Sequence, residues 1–173
     1  MRPVQFTLTL LFAAALLSGC ASYTGAGLQP GVSGQAEVRA QMGPPVATHK
    51  APPGAGYAES WEYPHGPMGR HTFMARFDAA GKLLRIDQVL QAKTLAAIHY
   101  GTDTQADVRA LLGRPGTITG PNRLYGGEIW GYAAYDGQRK IILSISFDAQ
   151  GRAQAAGEAP DPEEVSPNDG ANT

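Results

Sequence analysis

Hydrophobic and polar residues alternate in two groups of short segments, and a stretch without this pattern separates the groups. Alternation with a period of two is typical of β-strands that bury one face. The segments are ESWEY (59–63), HTFMARF (71–77) and KLLRIDQVL (82–90) in the first group, and EIWGYAAY (128–135), KIILSISF (140–147) and a weaker RAQAAG (152–157) in the second. The pattern predicts three antiparallel strands in each half of the chain.

Each group is preceded by nearly the same phrase, GQAEVRAQMGPP (34–45) and TQADVRALLGRP (104–115). Apolar residues four positions apart predict a helix of about two turns with one buried face. Thr104 is a favourable N-cap, and an acidic residue three positions later completes the pattern of a capping box. Gly43 and Gly113 stand where a left-handed C-cap is expected, and a proline follows soon after each.

The correspondence between the halves extends beyond this phrase. Residues 31–45 and 101–115 share eight identities in fifteen positions, and the motif Phe-Asp-x-x-Gly occurs at the same place in both halves. In this motif Asp78 and Asp148 are predicted to open tight turns between strands rather than to act as paired catalytic carboxylates.

These patterns predict an α+β fold built from two tandem repeats, residues 31–91 and 92–157. Each repeat is expected to pack short helices on one face of a three-stranded antiparallel β-meander. A further short helix is predicted at 92–101, at the start of the second repeat. Since one such unit has little core of its own, the two units are expected to pack together.

The first 19 residues have the features of a signal peptide, because Arg2 precedes an uncharged and mostly apolar run. The run ends at Leu17-Ser18-Gly19-Cys20, which resembles the lipobox of bacterial lipoproteins. This resemblance implies that Cys20, the only cysteine of the chain, carries lipid and becomes the mature N-terminus. Residues 20–30 are predicted to form a flexible tether. Residues 158–173, with five acidic side chains and three prolines, are predicted to form a disordered acidic tail.

Composition and motifs argue against several classes of function. Residues 20–157 contain 13 basic and 10 acidic side chains, a net charge of +3, which is too small to indicate nucleic-acid binding. The sequence has no GxSxG, HExxH, CxxC or Gly-Lys-Ser/Thr motif. No metal-ligand spacing is found among the histidines, which are His49, His65, His71 and His99. We therefore expect no catalytic site, no metal, no cofactor and no small-molecule substrate.

Aromatic residues on corresponding strands are the best candidates for a binding role. Trp61 and Trp130 occupy equivalent positions and are expected to lie in the cores of the two units. Tyrosine is enriched in protein interfaces, and tyrosines that alternate onto an exposed sheet face would be available to a partner. The candidate partner-binding residues are Tyr57, Tyr63, Tyr132 and Tyr135. The loops 46–58 and 116–127 differ between the halves and are equally open candidates.

The helix phrase, the Trp-x-Tyr strand and the Phe-Asp-x-x-Gly hairpin behind a lipobox resemble the BamE family, also called SmpA/OmlA. These are small outer-membrane lipoproteins that accompany the barrel-assembly machinery. The resemblance covers about residues 31–90 and again 101–157, whereas members of that family typically carry one such unit. A tandem pair of this architecture is also similar to the β-lactamase inhibitor proteins.

The resemblance implies a non-catalytic binding or scaffolding module on the periplasmic face of the outer membrane, anchored through lipid on Cys20. Outer-membrane protein assembly or envelope integrity is the expected setting, with the barrel-assembly machinery as the expected partner. The alternative is a protein inhibitor or ligand of one specific envelope enzyme.

We predict that Cys20→Ala releases the protein from the membrane, because a folded domain without acyl chains has no stable anchor. The measurement is the distribution of the protein between soluble and membrane fractions. Ser22→Ala, two residues away and outside the lipobox, should leave the protein in the membrane fraction. Sedimentation of the Cys20→Ala variant with membranes would contradict the lipobox assignment.

Overall fold

The computed structural model describes residues 24–66 and 69–163. The predicted signal peptide, Cys20 and the acidic tail beyond residue 163 lie outside the described residues. The chain forms helices α1 (Gln35–Met42) and α2 (Gln105–Leu112), a 3-10 helix (Ala92–Ala97), and strands β1 (Ala47–Lys50), β2 (Glu59–His65), β3 (His71–Phe77), β4 (Leu83–Gln88), β5 (Thr117–Thr119), β6 (Gly126–Asp136), β7 (Arg139–Asp148) and β8 (Ala153–Pro160).

The strands form two antiparallel sheets, one with the order β1-β2-β3-β4 and one with the order β5-β6-β7-β8. We call them the first sheet and the second sheet. The α+β class is confirmed, but the prediction of three strands per sheet is wrong, since each sheet has four. The additional strands, β1 and β5, are four and three residues long. They lie at sheet edges and carry mainly polar side chains, so no hydrophobic alternation marks them in the sequence.

Helix α1 covers one face of the first sheet. Val38 and Met42, four positions apart, are buried against Trp61 and Phe77 in a compact core. The rings of Trp61 and Phe77 pack with their centroids 4.8 Å apart. Trp130 occupies the corresponding place in the second sheet, where its ring lies 4.7 Å from that of another phenylalanine, Phe147. The prediction that both tryptophans lie in the cores is confirmed.

Helix α2 lies between the two sheets. Val108 and Leu112 are buried with the aromatic and aliphatic side chains of the second sheet. The same cluster includes Met74, which belongs to the first sheet, and the carbonyl of Ala110 accepts a hydrogen bond from the first sheet. Because α2 is buried on two sides, it belongs to the core of the second sheet and also packs against the first sheet.

The helix caps follow the sequence pattern with one difference. The hydroxyl of Thr104 accepts from the N–H of Asp107, and the carboxylate of Asp107 accepts from the N–H of Thr104. The glycines after the helices, Gly43 and Gly113, both have φ of 83°. Their ψ values, −174° and −163°, place them in an extended, glycine-specific region instead of the expected left-handed helical region.

Two predicted boundaries are corrected by the structure. The helix expected at 92–101 is a 3-10 helix that ends at Ala97, and the buried side chain of Ile98 follows it. The acidic tail expected from residue 158 begins later, because β8 continues to Pro160 and Asp161 is buried. The backbone of this segment is ordered by pairing with β7, although its acidic, proline-containing composition is typical of disorder.

Gly113→Ala and Gly43→Ala form a matched pair that measures how tightly α2 approaches the first sheet. Both substitutions force alanine into the same strained φ, which costs about 1–3 kcal/mol. A Cβ on Gly113 would also lie 2.9 Å from Cδ of Glu62, whereas a Cβ on Gly43 would meet nothing within 4 Å. We expect Gly113→Ala to lower the free energy of unfolding by about 1–3 kcal/mol more than Gly43→Ala. Urea denaturation measures the difference, and equal losses would show that the contact is loose.

Candidate functional site

A buried carboxylate lies at the centre of the junction between the halves. Glu62 is on β2, and only 3 % of its side chain is exposed. One carboxylate oxygen accepts the backbone N–H of Arg114 at 3.2 Å and lies 3.6 Å from Nε of the same residue. The other oxygen lies 3.0 Å from Nε2 of His49 on β1. Glu62 therefore connects strands β1 and β2 of the first sheet to the residue that follows the C-cap of α2.

These partners keep Glu62 ionised. Burial acts to raise the pKa of Glu62, but the hydrogen bonds from His49 and from the backbone of Arg114 outweigh burial. The pKa of Glu62 consequently lies below its ordinary value of 4.5. A charged carboxylate accepts these donors more strongly than a neutral one, so the contact between the halves depends on the ionised form.

Two hydroxyl groups of the first half reach the same turn of α2. Oγ of Ser60 donates to the carbonyl oxygen of Ala110 at 3.2 Å, and the hydroxyl of Tyr57 lies 3.4 Å from the same oxygen. This carbonyl belongs to the last turn of an eight-residue helix, where carbonyl groups lack partners within the helix. Tyr57 is thus half-buried at the junction rather than presented on a free sheet face.

A second contact joins the halves near the end of β8. Arg70 is 2 % exposed, and its Nη2 donates to the carboxylate of Asp161 at 2.5 Å. The guanidinium also lies over the ring of Tyr135, 5.6 Å from its centroid. The ring of His71 stacks on Tyr135 at 5.3 Å. The N–H of Glu163 and the guanidinium of Arg70 together hold the pKa of Asp161 below its usual range.

Two of the four candidate tyrosines are buried, and the expectation that they lie on an exposed face is wrong. Tyr63 is 4 % exposed and Tyr132 is 1 % exposed, on the same faces as the core tryptophans. Their hydroxyls each donate at 3.3 Å to the carbonyl of a C-cap glycine, Gly43 and Gly113 respectively. Burial raises the pKa of Tyr63 to about 12 and raises that of Tyr132 further. Both tyrosines thus connect the C-terminal end of a helix to a sheet. Tyr57 and Tyr135 remain as candidate partner-binding residues.

The face of the second sheet that points away from α2 is a regular surface that this helix does not cover. Its residues pair across β6, β7 and β8 and alternate with buried residues that face α2. We call this surface the open face and define it by six half-exposed or exposed residues: Ile129, Ile142, Ser144, Ser146, Ala155 and Gly157. None of the six is charged. The corresponding face of the first sheet, which carries Ser60 and Glu62, is the one that α2 covers.

Sequence reasoning missed the residues that join the halves, chiefly Glu62, Arg70 and Asp161. Glu62 lies within ESWEY, where alternation marks it as a solvent-facing position, and Asp161 falls in the segment assigned to the tail. Their partners are 52 residues away for Glu62 and 91 for the pair of Arg70 and Asp161. The only signal in the sequence was the requirement that two small units share a core.

Within residues 24–66 and 69–163, no three His, Cys, Asp or Glu side chains are grouped so that they could hold a metal ion. In that same part of the chain no helix has both the length and the apolar character needed to span a bilayer. Comparisons with protein-family models, with curated protein sequences and with solved structures found no match.

We predict that Glu62→Gln lowers the free energy of unfolding at neutral pH by about 1–3 kcal/mol, the usual cost of weakening buried hydrogen bonds to a charged group. Because the pKa of Glu62 is depressed in the folded state, its contribution is complete above the unfolded-state pKa and is lost as the pH falls through the folded-state pKa. The deficit of the variant should therefore shrink as the pH is lowered below about 4.

Glu158→Gln is the matched control, since Glu158 is an exposed carboxylate on β8. The free energy of unfolding of the Glu158→Gln variant should equal that of the unaltered protein at every pH. Chemical denaturation across a pH series measures both variants. A Glu62→Gln deficit that does not change with pH would mean that the charge of Glu62 contributes nothing to the junction.

Proposed function

We propose that this protein is a non-catalytic binding module, anchored by lipid on Cys20 to the periplasmic face of the outer membrane. We further propose that its halves are two copies of a BamE-like unit and that its role lies in outer-membrane protein assembly or envelope integrity. The observation that carries the binding role is the open face, a regular sheet surface with two half-exposed isoleucine side chains and no charge among its six defining residues. The sequence patterns at Cys20 and in the helix phrase support the location and the family.

The chemistry of the open face favours a protein partner. Ile129 and Ile142 supply apolar area, and the serines beside them can hydrogen-bond without the desolvation cost of charged groups. Small residues such as Ala155 and Gly157 leave room for close approach of another backbone. Depletion of charge at the centre of a surface patch is a property of protein interfaces.

The first sheet shows which kind of element fits such a face. There, the outer face receives the short helix α2: Oγ of Ser60 on β2 donates to the carbonyl of Ala110, and Met74 on β3 lies in the same cluster as Val108 and Leu112. The two sheets have the same strand order and carry a tryptophan on the same relative face. We therefore propose that the open face binds a short amphipathic helix of a partner protein, with small and aliphatic residues on its contact side.

Tyr135 lies at one end of this surface and is half-exposed. Its ring is held between Arg70 and His71, so it presents a fixed aromatic edge at low entropic cost to a bound partner. Of the four tyrosines named by the sequence, Tyr135 is the one that the proposed interface uses.

The test is affinity isolation of the tagged, full-length protein from gently solubilised envelopes, with and without Ile142→Glu. A carboxylate in the middle of the open face would be buried without a partner, so we expect recovery of the bound protein to fall by about tenfold or more. Ile118→Glu is the matched control, because Ile118 is 50 % exposed on the edge strand β5 and lies outside the open face. Recovery should be unchanged in this variant.

Identification of the recovered protein by mass spectrometry separates the roles. Components of the barrel-assembly machinery that are lost with Ile142→Glu would support the proposal in full. One envelope enzyme, recovered alone and inhibited by the protein, would replace the assembly role with that of an inhibitor. Equal recovery by both variants would contradict the use of the open face.

A further inference from the structure

A cavity of about 290 Å³ is lined by residues of both halves. One wall is formed by the first half, with the apolar loop that contains Pro52 and Pro53 and with the side chains of Arg76 and Arg85. The other wall is the start of the second half, where Asp103 and Asp107 precede and begin α2. The cavity is therefore lined by cations on one side and by carboxylates on the other.

Arg76 is the unusual residue of this cavity. It is 6 % exposed, and its Nε–H has no hydrogen-bond acceptor among the described residues. Its guanidinium stacks over the ring of Tyr57 at 4.8 Å. The nearest opposite charge is Asp87, whose Oδ2 lies 3.6 Å from Nε of Arg76 but only 2.7 Å from Nε of Arg85. The single carboxylate of Asp87 is shared by the guanidinium groups of Arg76 and Arg85. One of the two positive charges on this wall therefore has no opposite charge of its own.

A buried and unsatisfied donor is costly to a folded protein, and most native structures avoid it. A structural arginine in a sheet normally forms bidentate bonds with a carboxylate or with carbonyl groups. Arg76 does neither, although it faces a cavity large enough for a ligand. A ligand that carries a planar carboxylate would supply the missing acceptor and the missing negative charge together.

The facing wall restricts what else the ligand can carry. The carboxylates of Asp103 and Asp107 accept hydrogen bonds from the chain around the start of α2. Their presence disfavours a multiply charged anion such as phosphate and favours an ammonium group. Burial raises the pKa of Tyr57, the charge of Arg76 lowers it and the charge of Asp107 raises it. Tyr57 is therefore influenced by charged groups from both walls.

We infer that this cavity binds a small zwitterion of dipeptide size, with its carboxylate on Arg76 and Arg85 and its ammonium toward Asp103 and Asp107. A volume of about 290 Å³ equals that of about ten water molecules, which matches a molecule with about ten non-hydrogen atoms. The apolar part of the lining, including Ala55 and Leu111, suits small aliphatic side chains. This inference is independent of the proposed role of the open face.

The test is titration calorimetry of the full-length protein with alanyl-alanine as the probe. Alanyl-alanine should bind in the millimolar range or tighter, and its C-terminal amide should bind about tenfold more weakly or worse, since the amide cannot neutralise Arg76. The N-acetyl derivative should also bind more weakly, because it lacks the ammonium. Inorganic phosphate should not compete with the dipeptide.

Arg76→Met distinguishes a binding residue from a structural one. Replacing a poorly paired buried charge by an apolar side chain of similar length is often neutral or stabilising, so this variant should keep the thermal midpoint of unfolding and lose dipeptide binding. Arg85→Gln, at a half-exposed position, should weaken binding with the fold intact. Arg123→Gln, at an exposed position outside the cavity, should bind as the unaltered protein does.

Several results would overturn the inference. Absence of binding to the unaltered protein, equal binding of the dipeptide and its amide, or tighter binding of phosphate would each exclude a carboxylate-specific site. Unchanged binding by both Arg76→Met and Arg85→Gln would do the same. Equal binding of the N-acetyl derivative would show that the ammonium group is not recognised. The ligand would then be a simple carboxylate, such as the C-terminus of a longer chain, and not a zwitterion.

Discussion

The fixed position of α2 against the carboxylate of Glu62 is the constraint on which the rest of the structure depends. Glu62 receives the backbone N–H of Arg114 directly after the C-cap of α2, so a shift of the helix along the first sheet would remove a hydrogen bond from a buried charge and leave His49 as its remaining partner. The close approach requires glycine at position 113. Val108 and Leu112 of the same helix then set the place of the second sheet. One helix thus determines which faces are buried, where the cavity forms and which face is left open.

The features that depend on local chemistry were predictable from the sequence. The capping pattern at Thr104 and the buried positions of Trp61 and Trp130 follow from residues within a few positions of one another. The same holds for the turns at Asp78 and Asp148, whose carboxylates accept the N–H groups two and four residues later. Neighbouring residues specify these features, and the interactions that stabilise them join residues close in the sequence.

Features that depend on distant parts of the chain were not predictable. Strands β1 and β5 form because a sheet edge offers hydrogen bonds to whichever segment lies beside it, and segments of three or four mainly polar residues carry no signal for this. Alternation placed Tyr63 on the face of Trp61, but the sequence alone did not show that this face is closed by α1. The arginines of the cavity were likewise indistinguishable from ordinary surface residues, because neither the burial of Arg76 nor the missing acceptor of its Nε–H can be read from neighbouring residues. The sequence therefore showed no sign of a small-molecule site.

The use of α2 by both sheets has a consequence for the order in which the chain becomes stable. A polypeptide appears from its N-terminus, so the four strands of the first sheet are synthesised before residues 105–114. Until then Glu62 and Ser60 face water, and the first half has only the small core formed by α1. Arrival of α2 closes that face and begins the second core in the same step. The second half therefore supplies the cover that the first half lacks, since Ala110 and Arg114 provide the partners of Ser60 and Glu62.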